Sequence, residues 1–154
     1  AAIGVFVMLT LGLVAGEADS DRVEHAIMEV HIALGFFVLL FVLWRVAWRV
    51  YEGFRPDPEA DALERYVGGW VHRLLLIALL TMVLTGPLYL FTEGEGMDVF
   101  GWFTFYLPLG GLTFLHEPAE QVHKFTGEYL LPALIAVHFV GALRHYLARP
   151  ARAG

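Results

Sequence analysis

The chain has 154 residues, of which 58% are hydrophobic, and its formal net charge is −6 at neutral pH. This length predicts one domain, 1–154, and the apolar share exceeds the roughly 45–50% that is usual in soluble domains. Because the chain has no cysteine, the sequence excludes disulfides, thiolate-bound iron–sulfur clusters and covalently attached c-type haem. The negative charge argues against a nucleic-acid partner.

Four apolar blocks predict four transmembrane helices, at about 1–16, 25–52, 64–91 and 119–149. Lipid offers the backbone no hydrogen-bond partner, so a crossing segment of this kind must be helical, and the predicted fold class is an all-α, integral membrane four-helix bundle. The first block spans only about 22 Å as a helix, against a hydrocarbon core of roughly 30 Å. We therefore expect the chain to begin partway through a membrane helix; the alternative is a short re-entrant or interfacial helix.

The charged residues between the blocks separate by sign. Two connections are acidic, and they contain Glu17, Asp19, Asp21, Glu24 and Glu29, then Glu93, Glu95, Asp98, Glu117 and Glu120. The other connection and the C-terminal end are basic, and they contain Arg45, Arg49, Arg55, Arg65 and Arg73, then Arg144, Arg149 and Arg152. The positive-inside rule then predicts cytoplasmic termini and a multi-pass protein of the bacterial inner membrane, surrounded by lipid.

Two connecting segments carry local signals. Residues 55–62 include Pro56 and Pro58 and predict a plain loop with turn chemistry. Residues 99–115 are rich in aromatic residues, glycine and proline. This second composition predicts either an interfacial helix at the membrane surface or an aromatic-rich loop that caps the bundle.

Four histidines fall within the predicted spans, namely His31, His72, His123 and His138. Ionisable side chains in a membrane helix indicate function. His31 and His123 lie at similar depths from the same membrane face, so their imidazoles are expected to meet, as two axial ligands of one haem iron do. His138 follows His123 by 15 residues, a rise of about 22 Å and a rotation of about 60°. One helix thus offers a ligand to each of two stacked sites.

Smaller features fit this hypothesis. Gly35 and Gly127 each lie one turn after a candidate ligand, where a missing side chain lets a flat macrocycle approach the backbone; ordinary helix packing is the alternative. Arg45 lies at the far end of the helix that carries His31. It either pairs with a haem propionate or anchors the helix at the membrane surface, which is the role expected of Arg49.

These residues resemble the prokaryotic cytochrome b561 family and the related b-type cytochrome subunits of membrane hydrogenases and formate dehydrogenases. The resemblance covers nearly the full length. It rests on His31 to Gly35, Arg45, Arg49, His72, Gly86, His123, Gly127, His138 and the pair His145–Tyr146. It implies two b haems that exchange electrons with a quinone. His31 and His123 would hold the outer haem, and His138 the inner one together with a histidine of the first helix.

The chain departs from the family pattern at two points. The first helix has no histidine, so the inner ligand is expected just before Ala1; otherwise His72 or His145 substitutes, or only the outer haem binds. The interval from His123 to His138 is one residue longer than is usual in the family. A bulge or kink near Pro132 is expected to absorb the extra residue.

Three functions remain open from sequence. The first is an electron-transfer cytochrome, and whether it acts as an enzyme in its own right is undecided. The second is a haem-carrying anchor subunit of a larger redox complex, which fits the lack of any other cofactor motif. The third is a His-lined metal or proton transporter, which is disfavoured because the middles of the spans lack Asp and Glu.

Overall fold

The structure is a computed structural model that describes residues 2–53 and 62–152, with side chains through Leu147. The helices are α1 (Ala2–Gly16), α2 (Asp21–Glu52), α3 (Ala62–Glu93), α4 (His116–Phe125) and α5 (Leu131–Arg152). A π-helical turn, Thr126–Leu130, joins α4 to α5, so the two form one continuous helix. The predicted loop at 55–62 lies almost entirely outside the described residues. The all-α bundle expected from the apolar blocks is confirmed.

Three helical segments have the length and composition to cross a bilayer: α2, α3 and the continuous stretch Gly110–Leu147, which includes α4 and most of α5. The helices α2 and α3 have 32 residues each, and a helix of about 20 residues already spans the hydrocarbon core. Polar groups within them are satisfied locally: the hydroxyl of Thr85 donates to the carbonyl of Thr81 (2.7 Å), and that of Thr92 to Leu88 (3.0 Å). The shorter α1 packs along α2, and α3 contacts both α2 and the α4–α5 column.

The π-helical turn ends at Leu130, two residues before Pro132. A π turn is a one-residue insertion in an α-helix, and here it falls between His123 and His138. The expected bulge is therefore present. The backbone stays helical through it, with Thr126 at φ −66°, ψ −40° and Leu131 at φ −68°, ψ −44°. The extra residue is accommodated without breaking the column.

The aromatic segment at 99–115 is not an interfacial helix. Strand β1 (Met97–Val99) pairs antiparallel with β2 (Phe103–Phe105), and a 3-10 helix follows at Gly110–Leu115. The tight turn between the strands places Phe100 at φ 53° and Gly101 at φ 69°. Met97 and Val99 point inward and are buried. The hairpin packs on the end of α3 and on Ile32 and Phe36 of α2, so the alternative of a cap on the bundle describes it better.

The two ends of the bundle differ in charge. The α1–α2 and α3–α4 connections lie at one end, which we call the acidic end because it carries the acidic residues named above. The α2–α3 connection lies at the opposite, basic end, with Arg49 and Arg65 beside it. The cap formed by the hairpin lies at the acidic end.

Candidate functional site

Two histidines from different helices meet near the acidic end. His31 of α2 and His123 of α4 have ring centroids 6.4 Å apart and ring planes at 85°. The two residues are 92 positions apart in the sequence, so only the packing of the bundle brings them together. The structure therefore joins the pair that the depth argument singled out.

The position of His123 is fixed by α3. Its Nδ1 atom lies 3.1 Å from the carbonyl oxygen of Met82 and 3.3 Å from Oγ1 of Thr85. A carbonyl can only accept, so Nδ1 carries the proton and donates it there. The lone pair is then on Nε2, which is the tautomer that a metal-binding imidazole needs, and the contact to the carbonyl holds the ring in orientation.

Each ring lies against a glycine of a neighbouring helix. A Cβ atom at Gly86 would come within 2.8 Å of Cε1 of His123, and one at Gly12 within 3.4 Å of Cε1 of His31. Real Cβ atoms almost never approach as closely as the first distance, so α3 must have glycine there. Gly86 formed part of the family resemblance, whereas Gly12 was missed because nothing in the sequence tells which side of α1 faces a ring.

One ring nitrogen of His31 has no hydrogen-bond partner in the described part of the chain. This nitrogen, Nδ1, is buried, although the backbone of Met8 is near enough to interact with the ring. A buried polar atom without a partner calls for an explanation, and a group bound in the surrounding cavity is one.

A cavity of about 410 Å³ surrounds the two rings. It is lined by residues of α1, α2, α3, β1 and the α4–α5 column, including all four methionines of the chain, Met8, Met28, Met82 and Met97. The predicted glycines lie on its wall: the space beside Gly35 holds the methyl groups of Met8 and Met97, and the space beside Gly127 that of Met82. Sequence reasoning missed the methionines because their spacing looks like ordinary helix core.

The separation of the two rings matches that expected when one metal ion lies between two imidazoles. Metal–imidazole nitrogen bonds are about 2 Å long, which puts the centroids of two trans imidazoles about 6 Å apart. The distance between His31 and His123, 6.4 Å, agrees with this value. Two neutral imidazoles are the ligands that a b-type haem iron takes, and here they lie in a largely apolar cavity with glycines on its wall.

A second histidine pair lies toward the basic end. His72 of α3 and His138 of α5 have ring centroids 5.1 Å apart and ring planes at 60°, and both are exposed. Arg45 and Arg49 lie close enough to act on His72 electrostatically. At 5.1 Å the two rings contact each other and are too close to hold one iron between them as they stand.

The remaining histidines have other surroundings. Nδ1 of His145 lies 3.6 Å from a carboxylate oxygen of Glu64. His116 is half-buried: its Nδ1 lies 3.1 Å from the carbonyl oxygen of Tyr89 and its Nε2 3.2 Å from Glu93. It therefore joins α4 to the end of α3. His25 is exposed on α2.

A helical membrane bundle with two facing imidazoles in a buried, apolar cavity defines the class of b-type membrane cytochromes. The sequence matches the family model of the prokaryotic cytochrome b561 over residues 1–152. The chain therefore belongs to the prokaryotic cytochrome b561 family, multi-pass membrane b-type cytochromes of electron transfer. It is 27% identical over 147 residues to cytochrome b561 homolog 2 of Escherichia coli strain K12, covering 94% of this chain and 78% of that protein. No solved structure gave a match.

Proposed function

We propose that the protein passes electrons through a b-type haem whose axial ligands are His31 and His123. The observation that carries this proposal is the separation of the two rings, 6.4 Å between centroids. The bound haem supplies a reversible one-electron carrier. The protein's part is to hold two neutral imidazoles and to exclude water, which together tune the reduction potential.

A second haem at the basic end is the finer part of the proposal. His138 would be one ligand, and His72 is the imidazole closest to it in the described chain, with a ring movement needed to admit an iron. Arg45 would face a propionate of this haem, since it lies near His72. Stacked sites at the two ends of the bundle would carry electrons across the inner membrane between a quinone and a redox partner.

The partner is either a freely diffusing molecule or another subunit. The exposed aromatic residues of the hairpin, such as Trp102 at 74% exposure, would suit contact with a neighbouring subunit or with the membrane surface. Co-purification of other redox chains with the protein would favour the subunit role. Purification as one haem-loaded chain that reacts with quinone would favour the free-standing role. Four of the seven histidines meet in two pairs, which favours haem ligation over a His-lined transport path.

The test is a reduced-minus-oxidised visible spectrum of the purified protein, with haem measured per chain. The His31→Ala variant is expected to lose the haem at the acidic end and to keep any haem held by His138. The control is His25→Ala, which removes an exposed imidazole from the same helix and is expected to keep the wild-type haem content. Full haem content in His31→Ala would show that the ligand assignment is wrong.

A further inference from the structure

One face of the α4 column lines the cavity at the acidic end. Five residues of this column lie on the cavity wall at positions i, i+3, i+4, i+7 and i+8, namely Glu120, His123, Lys124, Gly127 and Glu128. Glu24 of α2 joins them from the opposite side. The rim of the cavity therefore carries three carboxylates, and Lys124 is the one lysine or arginine among the described lining residues.

The ammonium group of Lys124 is already held at this rim. Its Nζ lies 2.6 Å from a carboxylate oxygen of Glu120, one turn earlier in α4. The side chain of Lys124 is 65% exposed and that of Glu120 is 34% exposed, so the pair lies at the opening and not in the apolar interior. An ammonium has three donors, and a single carboxylate oxygen engages one of them.

A haem between His31 and His123 would bring its own negative groups to the cavity. It carries two propionates, and burying a carboxylate without a cationic partner is costly. At an opening lined by Glu24, Glu120 and Glu128, a propionate meets repulsion from every charged side chain except Lys124. Because Lys124 follows the ligand His123 directly, its ammonium moves with the ligand and stays beside the cavity.

We propose that Lys124 binds a propionate of the haem held by His31 and His123, sharing its ammonium between that propionate and Glu120. This inference rests on the proposed function. Lys124 then has two effects. It slows the loss of haem, and it raises the reduction potential, because a positive charge favours the reduced iron, which has one positive charge fewer.

The test compares Lys124→Gln with Lys124→Arg and with Arg22→Gln. Arg22 is the other basic residue at the acidic end and is absent from the cavity wall, so the control removes the same charge from the same end. Haem loss is followed by transfer to excess apomyoglobin, and the midpoint potential by spectroelectrochemical titration. A charge-assisted hydrogen bond predicts roughly tenfold faster haem loss in Lys124→Gln, together with a lower potential.

Lys124→Arg is expected to restore both quantities, and Arg22→Gln to leave both near wild type. Glu120→Gln is expected to raise the potential, because it removes a competing negative charge. Equal behaviour of Lys124→Gln and Arg22→Gln would overturn the inference, as would wild-type haem loss in Lys124→Gln. A wild-type protein that binds no haem would instead refute the proposed function, so the two failures are distinct.

Discussion

The contact between Gly86 and the ring of His123 shows how one absent side chain sets the geometry of the site. The ring is fixed on one edge by the carbonyl of Met82 and on another by the backbone of α3 at Gly86. Together these contacts leave the Nε2 side of the ring for the cavity. Gly12 of α1 makes room for the ring of His31, with a looser contact of 3.4 Å to Cε1. The ring of His123 is therefore oriented by the protein itself.

Gly86→Ala is expected to displace the ring of His123 and to prevent haem binding at the acidic end. The added Cβ would lie 2.8 Å from Cε1, and overpacking of this kind costs about 1–3 kcal/mol of stability. Haem per chain and the difference spectrum measure the effect. Gly141→Ala is the matched control, since a Cβ there meets nothing within 4 Å. Equal haem content in both variants would contradict the role given to Gly86.

The residues of the site were only partly predictable from sequence. The depth of His31 and His123 follows from counting along apolar blocks, so their meeting could be predicted. The rotation of each helix about its axis could not, because it depends on packing between side chains far apart in the chain. That is why Gly12 and Met97 were missed, and why Lys124 did not stand out beside its acidic neighbours.

At the scale of elements, the π-helical turn decides where His138 points. Counted as one inserted residue, the turn leaves 14 ordinary steps of about 100° between His123 and His138, which puts the two residues about 40° apart. Without it, 15 steps would put them about 60° apart in the opposite sense. The turn therefore changes the direction of His138 by about one residue's rotation.

Deleting Tyr129 is expected to convert the π-helical turn to regular α-helix. The directions in which His123 and His138 point should then stay unchanged. Inserting one alanine after Tyr129 is expected to rotate His138 by about 100° and to remove any haem at the basic end. Haem per chain, measured on protein that stays monodisperse in detergent, distinguishes the two variants. Haem loss in the deletion variant but not in the insertion variant would show that the turn has no such role.

A bulge or kink near Pro132 could be predicted, because the interval from His123 to His138 is one residue longer than is usual in the family. That it takes the form of a π-helical turn at Thr126–Leu130 could not be predicted. The hairpin was missed altogether. Its strands, Met97–Val99 and Phe103–Phe105, have three residues each, too few for an alternating pattern to stand out. They hold together because Met97, Val99 and Phe105 pack on the bundle, which is a tertiary effect that the local sequence does not encode.

For the whole molecule, the separation of charge between the two ends is the dominant electrostatic feature. By position in the sequence, most of the acidic residues lie at the acidic end, where Arg22 and Lys124 are the only basic residues. Because Glu24 and Glu128 line the cavity at this end, a redox partner approaching the proposed haem site there would meet a negative field. Such a field speeds the encounter with cations and slows it with anions.

The reduced protein is therefore expected to react with a cationic oxidant, hexaammineruthenium(III), at a rate that falls as salt is added. Its rate with anionic ferricyanide should rise with salt, since added ions screen the field. Stopped-flow oxidation at several ionic strengths measures both slopes. The double variant Glu24→Gln/Glu128→Gln should reduce both salt dependences, whereas Glu52→Gln, at the basic end, should leave them unchanged. Slopes unaffected by the double variant would show that partners do not enter at this opening.

All four methionines of the chain line one cavity, and this has a practical consequence for spectroscopy. Labelling the methionine methyl groups with carbon-13 places all four of these reporters on the wall of the cavity that contains His31 and His123. An unpaired electron between His31 and His123 would act on all of them at once. The methionine methyl signals should therefore all shift or broaden when the proposed haem changes its oxidation state.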